Sequence, residues 1–357
     1  MLDVAQLKQA IDAKSILALK TDRQISQVRY SPCGKFLLAA GHDALVHRWD
    51  VTGEEPTMLK PVMGHQGWVQ SLACRAAGDV MLSADSWGQL RCGSFLGDDP
   101  TANWSTPHAH EGWITGLALS PDGETVATVG IDWAVRGWSV ANGEKRFEWM
   151  PHRSEAFSVA FASDGQSVFS GDLEGRVIQT QLSDGKLIRE FDATALHVVN
   201  RLQDVGGARL LGVSKSGTEL LVAGTKPKNG GNVQGVPTVL VFQIADGALL
   251  KTIELGKDGD VYVTDLAETG DQQWLATISG NPGTGKLVAF QLTEEKPAFE
   301  STKFPNCHSL SLHPDGLRLA VCATNSGSNG NGRPVDKNGQ YPGNYSPIHL
   351  LTLGEQK

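Results

Sequence analysis

Three groups of residues in this sequence have the types that could do chemistry: its histidines, its cysteines and one glycine-lysine segment. His108 and His110 are the one close histidine pair, and that spacing aims both imidazoles the same way only on an extended strand; no HExxH-type carboxylate pattern accompanies them. The five cysteines, Cys33, Cys74, Cys92, Cys307 and Cys322, form no CxxC pair and no CxxCH haem-attachment site, so buried reduced thiols are expected. Gly280 to Leu287 reads GNPGTGKL, with the glycines and lysine of a phosphate loop. Leu287, however, stands where a Ser or Thr must ligate Mg²⁺, and a strand-like run rather than a helix follows, so a hairpin loop is expected. No GxSxG elbow occurs, since Ser216 rather than glycine stands two residues after Ser214, and the acids are not spaced for general acid–base work. The expectation is no catalytic residue, no metal and no cofactor, with a site assembled from several distant segments beyond the reach of spacing arguments.

Charge and composition narrow the partners. Lys plus Arg is 31 against 39 for Asp plus Glu, a net charge of −8, and no run of basic residues could follow a phosphate backbone; nucleic acid is not expected. Met1 to Ser15, MLDVAQLKQAIDAKS, has neither the apolar core nor the cleavage site of a secretory leader, so the whole chain is expected to be the mature, cytoplasmic protein. The run PTVLVFQI at 237–244 has the length of a buried strand, well short of the roughly 18 apolar residues of a membrane span. Glycine, at 41 of 357 residues, exceeds the usual ~7% and implies many tight turns.

Those turns repeat. SPCG at 31–34, RAAG at 75–78, SPDG at 120–123, ASDG at 162–165, SKSG at 214–217, AETG at 267–270 and HPDG at 313–316 place glycines 44, 45, 42, 52, 53 and 46 residues apart. A four-stranded propeller blade needs about 40–45 residues, and the excess is read as loop. Alternating runs such as ITGLALS (114–120) precede each turn and short apolar runs such as FLLAAG (36–41) follow it, giving strands joined by hairpins. Two further strands complete a unit, as in AVRGWSV (134–140) with KRFEWMP (145–151). The reading is all-β: a single domain over 1–357, a seven-bladed β-propeller of four-stranded antiparallel blades. The approximate blades are 25–63, 64–107, 108–151, 152–196, 197–255, 256–304 and 305–353. The seventh unit supplies only three strands, so SILALKT (15–21), within a closing segment 15–24, is expected to complete it. A short amphipathic helix over 1–14, apolar at Leu2, Val4, Leu7 and Ile11, is expected outside the ring.

Residues from roughly Ser15 to Leu353 resemble the WD-repeat (tryptophan-aspartate repeat) family, as a degenerate member of bacterial type. The likeness rests on Gly64-His65 before one strand, Trp49-Asp50 closing another, and Asp43 and Asp132 in second-to-third-strand turns. The resemblance implies an interaction platform in which a His, Ser, Asp and Trp of one repeat can form a hydrogen-bonded tetrad. It assigns His65 and His110 to such bonds with a turn Asp, and Trp138 to the tetrad of Asp132. No unit carries all four residues: the His65 unit has Gly93 where Trp is expected, and the Asp132 unit has Val129 where Ser is expected.

In such blades the second-to-third-strand turns and the blade-to-blade connections open on one face, the top. His42, His65, His108, His110 and His152 fall there, and so do Trp68, Trp87, Trp113 and Trp133, on blades 2 and 3. Rigidly held aromatics of this kind anchor protein interfaces. Long Gly/Asn-rich connections at Gly224–Pro237, Ser279–Lys286 and Thr324–Pro347 are expected to overhang the same face as functional or unstructured loops. The expected function is a non-catalytic scaffold, monomeric on its own, that binds a protein or peptide partner through the top-face tryptophans. A propeller enzyme or a small-molecule- or metal-binding protein with its site in the central funnel, and a permanent structural subunit of a larger assembly, remain alternatives.

Overall fold

The computed structural model describes residues 3–13, 17–21, 23–200, 203–228, 234–270, 272–280, 283–324 and 345–354. Seven four-stranded antiparallel sheets form a closed propeller, and a separate two-stranded sheet is added to it. The inner strands are Ile25–Tyr30, Val69–Cys74, Ile114–Leu119, Ala156–Phe161, Leu210–Val213, Tyr262–Gly270 and Ser309–Leu312. Second strands such as Thr125–Gly130 and Ser167–Asp172 are buried throughout, because both faces of a blade pack against neighbours. Outer strands such as Lys145–Trp149 alternate between solvent and sheet. The seven repeated turn glycines, from Gly34 to Gly316, all have positive φ, the conformation a Cβ would strain.

Closure joins distant parts of the chain. Leu17, Ala18 and Leu19 pair with Leu350, His349 and Ile348, so Leu17–Leu19 is the outer strand of the last blade. Thr21 Oγ1 donates to the Ser346 carbonyl (2.9 Å), and Ser346 Oγ accepts from the Ile25 amide (2.9 Å). The helix Val4–Asp12 is capped by Asp3, whose carboxylate accepts from the Ala5 amide. It buries Leu7, Ala10 and Ile11 against Phe304, Leu351 and Leu353, while Leu2 lies outside the described residues.

Three expectations need correction. The 52-residue interval holds an added hairpin, His197–Asn200 with Gln203–Gly206, and the inner strand of blade 5 begins only at Leu210. The 53-residue interval holds an extended ladder: Glu219–Pro227 and Gly235–Gln243 stay paired out to Pro227 and Gly235, so half of the supposed loop Gly224–Pro237 is strand. Thr225 is buried on one face of that ladder and Val236 and Thr238 on the other, and 229–233 lie outside the described residues. The AETG segment is not a turn of the common type either, since the inner strand of blade 6 runs through it to Gly270. In the connection Ser279–Lys286, Ser279 ends one strand and Gly285 begins the next, with 281 and 282 outside the described residues; of Thr324–Pro347, 325–344 lie outside them. No helix among the described residues is long and apolar enough to cross a membrane.

Candidate functional site

Beneath the top face, three consecutive blades carry the same buried hydrogen-bond chain. In blade 2, His65 Nδ1 lies 2.9 Å from Asp85 Oδ2, and Nε2 lies 2.7 Å from Ser83 Oγ. In blade 4, His152 meets Asp172 (2.9 Å) and Ser170 (2.7 Å) in the same way. In blade 3, His110 meets Asp132 Oδ1 (2.8 Å) and Thr128 Oγ1 (2.8 Å), and Trp138 Nε1 donates to Thr128 Oγ1 (2.9 Å). A carboxylate can only accept, so Nδ1 carries the proton and Nε2 accepts from the hydroxyl. Blade 3 therefore has all four members, with Thr128 in place of Ser. Val129, where Ser was sought, is one register position away and faces the opposite side of its strand.

Each aspartate also clamps its turn. Asp85 accepts from the amides of Trp87 (2.9 Å) and Gln89 (3.0 Å), and Asp132 from the Glu111 amide (3.0 Å) and the Arg136 guanidinium (2.6 Å). Burial would raise the Asp85 carboxyl, but bonds from His65, Gln89 and Trp87 outweigh it and hold the group below the usual carboxylate range. Asp132 is lowered further, by His110 and Arg136 acting against burial. Burial pushes the pKa values of His65 and His110 below the ordinary histidine range, against the pull of their aspartates.

Blade 1 is wired differently. Asp43 accepts from His47 Nε2 (2.9 Å), which comes from the strand after the turn, and the residue 18 before Ala39, the register match of Thr128, is Thr21 rather than a histidine. Trp49, opposite Leu37, matches the register of Trp138 opposite Val126. In blade 2 a side chain at Gly93 would meet the Thr101 carbonyl at 2.7 Å, which is why no Trp stands there. Asp85, Asp172, Ser83, Ser170 and Thr128 were missed in the sequence. The spacing that marks them is constant, with 18 residues between histidine and hydroxyl in all three blades.

A Ser–His–Asp chain is also the nucleophile constellation of acyl transfer. Here Ser83 and Ser170 are only 2% and 1% exposed, so no substrate reaches the hydroxyl and the chain acts as a structural clamp. Among the described residues no group of three or more His, Cys, Asp or Glu is placed to hold a metal. Lys286, the lysine of GNPGTGKL, pairs with Asp260 (2.8 Å) and Glu300 (3.0 Å) in the strand Gly285–Gln291. Cys33 is exposed, Cys74 half-buried and Cys92, Cys307 and Cys322 buried, all as free thiols.

Above the clamps lie the four tryptophans. Trp68, Trp87, Trp113 and Trp133 are 47%, 62%, 43% and 44% exposed, beside the exposed Ile131. Trp68 and Trp113 meet edge to face at 6.0 Å, and His42 stacks on Trp68 at 4.7 Å. The Trp68 amide donates to Ser86 Oγ (3.0 Å), and Trp133 sits at φ +69° with its amide bonded to the Gly130 carbonyl. The rings are thus held from beneath by the turns that Asp85 and Asp132 clamp. His108 is exposed and belongs to no clamp, while His65, His110 and His152 are buried in theirs.

Two segments, 14–50 and 103–139, match the family described as WD domain, G-beta repeat. The chain is similar to Periodic tryptophan protein 2 of Arabidopsis thaliana, with 23% identity over 192 residues, 49% of this chain and 20% of that protein. Telomerase protein component 1 of Mus musculus is 27% identical over 221 residues, 62% of this chain and 8% of that protein. The small ribosomal subunit protein RACK1y of Oryza sativa subsp. japonica is 27% identical over 107 residues, 29% of this chain and 31% of that protein. The chain spans less than a third of the length of each of these relatives. Each of the two matched segments ends on the third strand of a blade, at Asp50 in blade 1 and at Ser139 in blade 3. Two stretches of a seven-bladed β-propeller thus match the WD domain, G-beta repeat model.

Proposed function

We propose that this propeller is a non-catalytic, cytoplasmic docking platform whose top face, at blades 2 and 3, binds a protein or peptide partner. The supporting observation is the set of four half-exposed tryptophans over turns fixed by buried carboxylates. Aromatic rings with few rotatable bonds bury large area for little lost entropy, and rings already held by the backbone lose less still. The test pairs two readouts for Trp68→Ala, Trp87→Ala, Trp113→Ala and Trp133→Ala: recovery of a partner from cell lysate and the thermal midpoint. At least two variants should lose the partner, since truncating a hot-spot ring costs a complex about 2–4 kcal/mol. Their midpoints should stay near the parent's, because exposed substitutions change stability by only about 0.5 kcal/mol. Four variants that each melt several degrees lower, with none losing a partner selectively, would return the rings to a structural role.

A further inference from the structure

Away from the tryptophan rim, three blades converge on one arginine. Arg209 immediately precedes the inner strand of blade 5, and its Nε donates to the Gly206 carbonyl at 2.7 Å. Its guanidinium carbon lies 3.7 Å from the ring centroid of Phe157 in blade 4 and 5.9 Å from that of Tyr262 in blade 6. Phe157 is half-buried between the buried residues Ala156 and Ser158, at the point near the start of the inner strand where its pairing with the second strand shifts register, so it stands out of the ladder. Tyr262 opens the inner strand of blade 6 at the same end. Arg209 is therefore a half-buried cation at the top mouth of the channel, its plane set by an aromatic face and its Nε bond.

What it lacks is an anion. Arg29, Arg136, Arg176 and Arg318 each close on a carboxylate, as Arg29 does on Asp265 at 2.9 Å. Among the described residues no ion pair includes Arg209, and neither Nη has a hydrogen-bond partner. Burial pushes its pKa down, with only the longer-range attraction of Tyr262 and Glu155 opposing it. A desolvated guanidinium recovers that cost when its two Nη groups meet two oxygens of one anion, the geometry its planar fork is built for.

We propose that Arg209 is the anchor of an oxyanion site at the channel mouth, taking one carboxylate or phosphate group bidentately through Nη1 and Nη2. This site does not depend on the tryptophan rim and can stand or fall without it. The experiment follows the Nε–Hε resonance of Arg209 in the full chain labelled with ¹⁵N-arginine, assigned as the signal absent from Arg209→Lys. Inorganic phosphate, acetate and a blocked Gly-Glu-Gly peptide are titrated separately, with sodium chloride holding ionic strength constant. A saturable shift with at least one of the three is expected, together with a rise in the parent's thermal midpoint that Arg209→Lys and Phe157→Leu lose. If phosphate or acetate saturates at the lower concentration the ligand is a free small anion, and if the peptide does it is a peptide carboxylate; either supports the site. If no arginine Nε–Hε resonance of the parent moves further with any of the three than with chloride, the site is overturned, a result that needs no assignment and so holds even if a variant fails to fold.

Discussion

Blades 2 to 4 and blades 5 to 7 solve one packing problem in two ways. In the first group a histidine links a strand hydroxyl, Ser83, Thr128 or Ser170, to a turn aspartate. In the second group the strand positions that match Thr128 in register are Val222, Ala276 and Val321, all fully buried, and the positions that match Trp138 are Phe242, Phe290 and Leu351. One half of the ring is held by directional bonds and the other by apolar contact. A turn clamped by its own carboxylate has to stay short. Where that carboxylate is absent the connection is free to lengthen, as it does in the ladder that reaches Pro227 and Gly235. The clamped half carries the tryptophan rim and the apolar half carries the insertions.

The apolar half should show the largest losses. Removing Met1–Thr21 uncovers the strand Ile348–Thr352 and deletes buried Leu7, Ile11 and Leu19, each worth about 1.5–3 kcal/mol. The truncated chain should self-associate through the open edge and melt far below the parent. A monomer melting within about 2 °C of the parent, a shift under ~1 kcal/mol, would remove the clasp from the account. Next comes Trp274→Ala, which empties the cluster shared with Phe290 and Ile253 and should cost about 3–5 kcal/mol in urea unfolding. A loss below that of the clamp variants would reverse the contrast between the halves.

In the clamped half, Asp132→Ala should cost about 1–3 kcal/mol, because it strands His110 and the Glu111 amide. Asp122→Ala, in an exposed turn on the opposite face, should cost less, and equal urea midpoints would contradict the clamp. Thr128→Ser should keep most of the stability that Thr128→Val loses, since only the first retains the hydroxyl joining Trp138 to His110.

The smallest effect is on pH dependence. His65 and His110 titrate lower in the folded chain than in the unfolded one, so the unfolded state takes up protons first as pH falls. Their contribution is fully present above the unfolded value of about 6.5 and declines below it, by at most ~1.4 kcal/mol per pH unit for each histidine. His65→Gln should therefore flatten the fall in stability between pH 7 and 5, and an unchanged slope would show that His65 is not the titrating group. The lowered carboxyls Asp85 and Asp132 act with the same sign in a lower window, where stability is lost as pH drops below about 4.

The ring, its blade number and its clasp were legible because one glycine turn recurs and the last unit lacks a strand. The site was legible more unevenly. Top-face exposure of the four tryptophans follows from turn positions, but the clamp of blade 3 was misread by one residue because Thr128 and Val129 are adjacent β-branched residues on opposite sides of a strand. Asp85 escaped notice because ADSWG has no Trp-bearing third strand to complete the pattern. The hairpin at His197 was hidden for a different reason. Four-residue strands with no repeated turn leave only a lengthened interval, and the same lengthening in the next unit comes from extending an existing ladder.

The clasp also sets a timetable. Thr21 and Ser346, bonded across the closure, are 325 residues apart in sequence, so the outer strand Leu17–Leu19 has no partner until almost all of the remaining chain exists. At roughly 5–20 residues per second of synthesis, that wait lasts tens of seconds. Bringing such distant ends together costs about 5 kcal/mol of loop entropy if nothing between them is ordered. Each blade that forms first shortens the effective loop, which makes ring closure the final and most cooperative event of folding and the helix Val4–Asp12 the last element to find its seat.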